Sequence, residues 1–196
     1  MQDENTGKIN GSARKNGNTD ILINRIFEKL KRAGIETKKV QFAGEIIEPC
    51  KACFACGGKG NCIHKKDNFC EMFDEMKNAD GIILGSPVYS ANISANMQAF
   101  LERASVVCDM NPGLLKHKVG VSVAAARRGG ALNDIDSMNH FFLNHEMFVV
   151  GSTYWNMACG QMCGDVLNDK EALANMDNLV ENMICILQKT KQEEAK

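Results

Sequence analysis

Cys50, Cys53, Cys56 and Cys62 stand in a C-x2-C-x2-C-x5-C array inside the stretch P-C-K-A-C-F-A-C-G-G-K-G-N-C at 49–62. Thiolate sulfur binds iron–sulfur clusters and zinc. The run is too dense for thiols that merely fill a core, and its glycines give the backbone freedom to wrap around a bound object. Structural zinc sites generally separate two C-x2-C pairs by a longer spacer, whereas C-x2-C-x2-C is the spacing of ferredoxin-type clusters. The array therefore points to an iron–sulfur cluster, with zinc or free thiols as the alternative. Elsewhere, Cys159 and Cys163 form a C-x3-C pair that is either redox-active or simply reduced and without a role. Cys70 opens a helical pattern, which could lower its thiol pKa or leave it to pack. Cys108 and Cys185 read as small core residues, and His64 as a surface loop residue.

Three further loops carry residues suited to a ligand. Residues 11–19 combine the hydroxyls of Ser12 and Thr19, the amides of Asn16 and Asn18, the Arg14 cation and several backbone N–H groups ahead of a helix, a set suited to a phosphate monoester. The loop has neither the Lys-Ser/Thr ending of a Walker motif nor G-x-G-x-x-G spacing, which disfavours ATP or a dinucleotide there. Residues 85–90, G-S-P-V-Y-S, leave an apolar run through Pro87 and offer Val88, Tyr89 and Ser90 to a flat ring. Residues 126–130, A-R-R-G-G, place Arg127 and Arg128 beside Gly129 and Gly130, allowing close backbone approach to a polar ligand edge. The plainer readings are a capped helix, a proline turn and a solvated basic turn.

The elements that must position these loops alternate in type. Ile21, Leu22, Ile23, Ile26, Phe27 and Leu30 have helical spacing, with Asn18 or Thr19 as cap and Gly34 as stop. A strand is expected over 35–42 with Val40 and Phe42 inward, a helix over 69–78, a buried strand over 79–85 and a helix over 94–107. A strand over 118–124, a helix over 133–144, a strand over 147–153, an irregular segment over 156–168 and a helix over 170–191 complete the chain. Met72, Met76, Met97 and Met138 read as core filler, Phe141, Phe142 and Trp155 as exposed aromatics, Tyr154 and Trp155 as a ligand wall or subunit contact, and the tail from Lys189 as solvated. Strands alternating with helices predict βαβ crossovers, and so an α/β doubly wound parallel sheet covered on both faces. Ligands of such sheets sit outside the carboxyl ends of the strands. One domain over 1–196 is expected, with the cysteine-rich loop 49–70 inserted after the second strand.

Composition narrows the partners. The 196 residues carry 23 basic against 24 acidic side chains and 44% hydrophobic residues, which gives a globular chain without a nucleic-acid stripe or a membrane-adsorbing face. No apolar run reaches the ~20 residues of a membrane helix, and residues 1–8 carry no apolar signal core. Nine cysteines without an export signal indicate metal or redox chemistry in the cytoplasm.

The stretches N-G-S-A-R-K-N-G-N-T at 10–19, A-D-G-I-I-L-G-S-P-V-Y at 79–89, A-A-R-R-G-G at 125–130 and V-V-G-S-T-Y-W-N at 149–156 together resemble the flavodoxin-like NAD(P)H-dependent FMN reductases. With the cysteine array after the second strand, the chain is similar to the iron–sulfur flavoprotein branch of that family. The resemblance implies strand order 2-1-3-4-5, FMN, a [4Fe–4S] cluster, and a ferredoxin or NAD(P)H donor in a homodimer or homotetramer. It implies that Ser12, Arg14, Asn18 and Thr19 hold the FMN phosphate, that Pro87, Val88, Tyr89 and Ser90 line the isoalloxazine, and that residues from Arg127 to Gly130 approach its polar edge. Arg128 would also place a nicotinamide, and Cys50, Cys53, Cys56 and Cys62 would ligate the cluster, on the same side of the sheet as the flavin. The alternative is a cluster-free NAD(P)H-dependent FMN or quinone reductase; a third reading is a flavin-binding or metal-responsive regulator. Two departures stand out. The first strand is polar from Gln2 to Lys8, so it must start late or tolerate unusual side chains. Ala13 occupies a position where the family usually has proline, which should loosen the phosphate loop.

Overall fold

A computed structural model describes residues 5–194. The chain alternates through β1 (Asn5–Asn10), α1 (Asn18–Arg32), β2 (Glu36–Gln41), α2 (Phe69–Asn78), β3 (Gly81–Pro87), α3 (Ala95–Asp109), β4 (Val119–Ala126), α4 (Ala131–Asn144), β5 (Phe148–Val149), β6 (Met157–Cys159) and α5 (Lys170–Glu194), with a 3₁₀ turn at Asp165–Asn168. The strands are all parallel, in order β2-β1-β3-β4-β5, and β6 pairs with the far end of β4. This is the flavodoxin-like 2-1-3-4-5 order.

Alternation along β3 shows how the layers are built. Ile82 and Leu84 join Phe69, Phe73, Phe100 and Phe142 of α2, α3 and α4, whereas Ile83 faces the other way into a cluster with Leu22, Ile26, Met176 and Val180 of α1 and α5. Each strand residue thus serves one of two helical layers, as a sheet covered on both sides requires.

The first strand does form at the centre of the sheet, from Asn5, and it tolerates its unusual side chains. Thr6, Lys8 and Asn10 are all buried. Lys8 Nζ donates to Asp20 Oδ1 at 2.6 Å and to Asn24 Oδ1 at 2.8 Å, and lies 5.4 Å from the Phe27 ring centroid. The residues of α1 that face this strand supply the counter-charge, which is why a polar stripe can occupy a central position.

Other expectations need correction. The predicted strand over 147–153 reduces to two paired residues; the chain then leaves the sheet, where Ser152 Oγ donates to the Tyr154 carbonyl, and returns as β6 inside the segment expected to be irregular. Phe141 and Phe142 are buried under β4, not exposed. Cys185 is exposed on α5, because Met183 and Leu187 take the inward positions. Cys108 and the four methionines are buried. Neither Asn18 nor Thr19 caps α1: both are helical, and Gly17 stands at the N-cap with no side-chain hydrogen bond. The charged tail continues α5 to Glu194, and its last two residues lie outside the described ones. Among the described residues no helix is long and apolar enough to cross a membrane.

Candidate functional site

The loops after β1, β3 and β4 meet at the carboxyl edge of the sheet. The main chain of Gly11 donates to the Gly85 carbonyl at 2.8 Å, and Ser94, the N-cap of α3, donates through Oγ to the Gly11 carbonyl at 2.7 Å. These bonds fix the end of β1 against the end of β3. A cavity of about 640 Å³ of empty space opens beside them, lined by Ser12, Arg14, Gly17, Asn18, Thr19, Pro87, Val88, Tyr89, Ala125, Arg127, Gly160 and Gln161. Among the described residues, two arginines and no acidic side chain line it. The first turn of α1 points its uncapped amides toward the same space, so helix dipole and side chains favour an anion together.

The loop is pinned from beneath by the polar stripe of β1. Asn10 Oδ1 accepts from the Ser12 amide at 3.0 Å, its Nδ2 donates to Asp20 Oδ1 and Gln41 Oε1, and Gln41 Nε2 donates to the Ser12 carbonyl at 2.8 Å. Burial lowers the Lys8 ammonium to about 8 against the pull of Asp20. Burial would raise Asp20, but the hydrogen bonds from Lys39 and Lys8 hold it down at about 2. Both groups are therefore charged at neutral pH.

Of the residues expected at this site, Ser12, Arg14, Asn18, Thr19, Pro87, Val88, Tyr89 and Arg127 line the cavity, while Ser90, Arg128, Gly129 and Gly130 do not. The Asn18 side chain is already committed: it donates to the carbonyls of Gly160 and Met162 and accepts from the Gly164 amide. Ser90 and Ala91 form the tip of a tight turn between Tyr89 and Asn92, both with positive φ. Gly130, at φ +89°, has a backbone role: a Cβ there would stand 3.0 Å from Val88 Cγ1 and Ala91 Cα. Sequence reading missed Ala125, Gly160 and Gln161. Gly160 and Gln161 arrive with the 160–164 loop, and no motif in that segment signals this. Cys163 belongs to the same loop, its Sγ donating to the Asn16 carbonyl at 2.9 Å, and Cys159 Sγ lies 3.8 Å from the Arg128 carbonyl.

The cysteine array forms a second site. Cys50, Cys53, Cys56 and Cys62 line one small cavity with Phe54, Ile63, His64 and Arg103. The loop leaves the carboxyl edge after β2 but runs along α3: the Cys50 amide donates to Glu102 Oε1, Cys56 Sγ lies 3.9 Å from the Val106 carbonyl, and Asn111 Nδ2 donates to the Cys56 carbonyl. From Ser94 to Arg103 is about 13 Å along a helix. The array and the cationic cavity are thus set apart along α3, which qualifies the expectation of one shared side.

The loop's shape is that of a ligand cage. Ala52 and Phe54 have positive φ, and the amides of Ala52 and His64 donate to Cys50 Sγ and Cys62 Sγ, each at 3.4 Å. His64 Nε2 lies 3.5 Å from Cys53 Sγ, so this histidine is part of the site and not a bystander. Cys70 is also drawn in, donating to the Cys62 carbonyl at 3.2 Å; desolvation raises its thiol pKa, outweighing any effect of the helix start. Among the described residues no three His, Cys, Asp or Glu side chains converge enough to hold a single metal ion. Four thiolates on one zinc would have to sit at about 2.3 Å from a common centre. Four thiols that line one cavity without converging on a single point suit a multi-atom core better.

Residues 6–161 match the family model described as NADPH-dependent FMN reductase. The chain is 37% identical over 179 residues to an iron–sulfur flavoprotein of Methanocaldococcus jannaschii, covering 87% of this chain and 91% of that one. It is 39% identical over 145 residues to an iron–sulfur flavoprotein of Methanosarcina thermophila, covering 73% and 75%. Among solved structures, a WrbA-like flavodoxin from Agrobacterium tumefaciens superposes with a TM-score of 0.64 at 18% identity, covering 94% of this chain and 98% of that one. The chain belongs to the NADPH-dependent FMN reductase family, in its iron–sulfur flavoprotein branch.

Proposed function

We propose that this flavin-dependent oxidoreductase binds FMN in the cationic cavity and a [4Fe–4S] cluster on Cys50, Cys53, Cys56 and Cys62, and relays electrons between a donor, ferredoxin or NAD(P)H, and an acceptor. The observation that carries the reading is the presence of two separate ligand cages on one chain. One is anion-selective by virtue of Arg14, Arg127 and the uncapped α1; the other is ringed by four thiols.

The residues divide the work. Ser12 Oγ, Thr19, Arg14 and the first-turn amides of α1 hold the phosphate. Pro87, Val88 and Tyr89 offer one wall to the flavin ring, and Arg127 approaches its edge; Arg128, Gly129 and Gly130 act through the backbone of that turn. Bound FMN supplies a ring stable in one- and two-electron forms, and a cluster supplies single electrons. Burial raises the Cys56 thiol pKa, so ligation there must displace a proton. Single-domain organisation, a cytoplasmic location that keeps the thiols reduced, and a homodimer or homotetramer belong to the same reading; Tyr154 and Trp155 are exposed on the surface.

Anaerobic purification with iron and flavin quantified, followed by reductive titration with NAD(P)H and with reduced ferredoxin, tests it. Bound FMN with iron and bleaching by one donor is expected. Flavin without iron leaves the cluster-free reductase, and a flavin that neither donor bleaches ends the enzyme reading.

A further inference from the structure

Arg103 of α3 is only 3% exposed, and all three of its guanidinium nitrogens donate to the cysteine loop. Nε donates to Cys62 Sγ at 3.2 Å; Nη1 donates to the two Asp67 carboxylate oxygens at 2.9 and 2.7 Å and to the Glu48 carbonyl at 3.4 Å; Nη2 donates to the His64 carbonyl. Its Cζ lies 4.2 Å from the Phe69 ring centroid. Among the described residues, Cys62 is the one array cysteine whose sulfur receives a hydrogen bond from an arginine. Cys50 Sγ accepts from a backbone amide, Cys53 Sγ meets a histidine ring and Cys56 Sγ a carbonyl.

We infer that Arg103 is a positioning residue that raises the reduction potential of the cluster by its charged N–H···S bond to Cys62, with Asp67 opposing it. The inference rests on the cluster reading above. Reduction by one electron from the donor adds negative charge that the thiolate sulfurs share. A fixed cation at hydrogen-bond distance stabilises that charge more in the reduced than in the oxidised state, and in a buried setting water screens the difference little. The Asp67 carboxylate, on the other side of the same guanidinium, offsets part of the positive potential. The two residues therefore pull in opposite directions through one contact, a pattern that loop anchoring alone does not predict.

The test is an anaerobic, EPR-monitored redox titration of the full chain carrying FMN and cluster, as wild type, R103K, R103Q and D67N, with iron and FMN counted in each. R103Q is expected to move the cluster midpoint negative by at least a tenfold change in the reduced-to-oxidised ratio, about 59 mV for one electron. D67N should move it positive, R103K should fall between R103Q and wild type, and the flavin couple should stay in place. R103Q with a full iron complement and the wild-type midpoint overturns the inference. If R103Q takes up no iron, D67N decides: a positive shift supports the assignment, and an unchanged or negative one overturns it. A wild type that binds FMN but no iron ends the cluster reading itself, and this inference with it.

Discussion

Two buried ion pairs lie beneath the two loops that the proposed cofactors need, and they are built differently. Lys8–Asp20 joins a strand to a helix, each held by its own backbone hydrogen bonds, at side-chain exposures of 0% and 1%. Arg103–Asp67 joins a helix to an irregular loop, where the guanidinium also satisfies the carbonyls of Glu48 and His64. Under the sheet the charges compensate each other. Under the cysteine loop they take part in replacing the secondary structure that the loop lacks, beside side chains such as Glu102 and Asn111 that also bond its backbone. A buried pair of the first kind can be exchanged for apolar side chains with little loss, whereas one of the second kind cannot.

Single and double replacements separate the two pairs most sharply. R103M and K8M should each destabilise the fold by about 3–5 kcal/mol, because each strips a buried carboxylate of its buried cation; K8M should stand at the lower end, since Lys39 still reaches Asp20 from the surface. The doubles should then part company. K8M/D20L should return to within about 1–2 kcal/mol of wild type in chemical denaturation, while binding FMN more weakly because Asn10 loses one of its anchors. R103M/D67L should stay at or near the R103M value, since no apolar side chain replaces the bonds to the loop carbonyls. Equal recovery of both doubles would refute the distinction.

Asp134, in the first turn of α4, is a buried carboxyl group with no ion-pair or hydrogen-bond partner among the described residues. Burial pushes its pKa from 3.8 to about 7. Between those values the folded state holds a proton that the unfolded chain has released, so stability falls as pH rises through this window. D134N removes the charge. It should stabilise the protein by on the order of 2–4 kcal/mol at pH 8 and by little at pH 4; a pH-independent difference in urea midpoint would show that the carboxylate is paired in solution.

The difference between the pairs also governs what the sequence discloses. The 2-1-3-4-5 sheet is legible because apolar periodicity and βαβ alternation are local signals, as in residues 79–89, and the four-cysteine array is legible because its spacing is itself the chemistry. Lys8 defeats pattern reading: a lysine in a central strand becomes sensible only once Asp20 and Asn24 are seen to face it. Arg103 carries no signal of its own in the sequence, since its partners at positions 48, 62, 64 and 67 are distant along the chain and in no regular element. Gly160 and Gln161 were missed for the same reason, as Asn18 draws their loop to the cavity across the fold.

The smallest effect tests exposure rather than architecture. Lys39 Nζ reaches the same Asp20 carboxylate at 2.8 Å, but its side chain is 39% exposed, against 0% for Lys8. Its ammonium keeps most of its hydration in either state and holds its geometry at an entropic cost, so the attraction is largely offset. K39M should therefore change stability by no more than about 1 kcal/mol, and 1 M NaCl, where the screening length is only about 3 Å, should erase the difference from wild type. The K8M deficit should survive that salt, because ions do not enter the space between β1 and α1. Denaturation of both variants at low and high salt makes the measurement, and a salt-sensitive K8M would mean that water reaches the pair and that the polar stripe of β1 is hydrated.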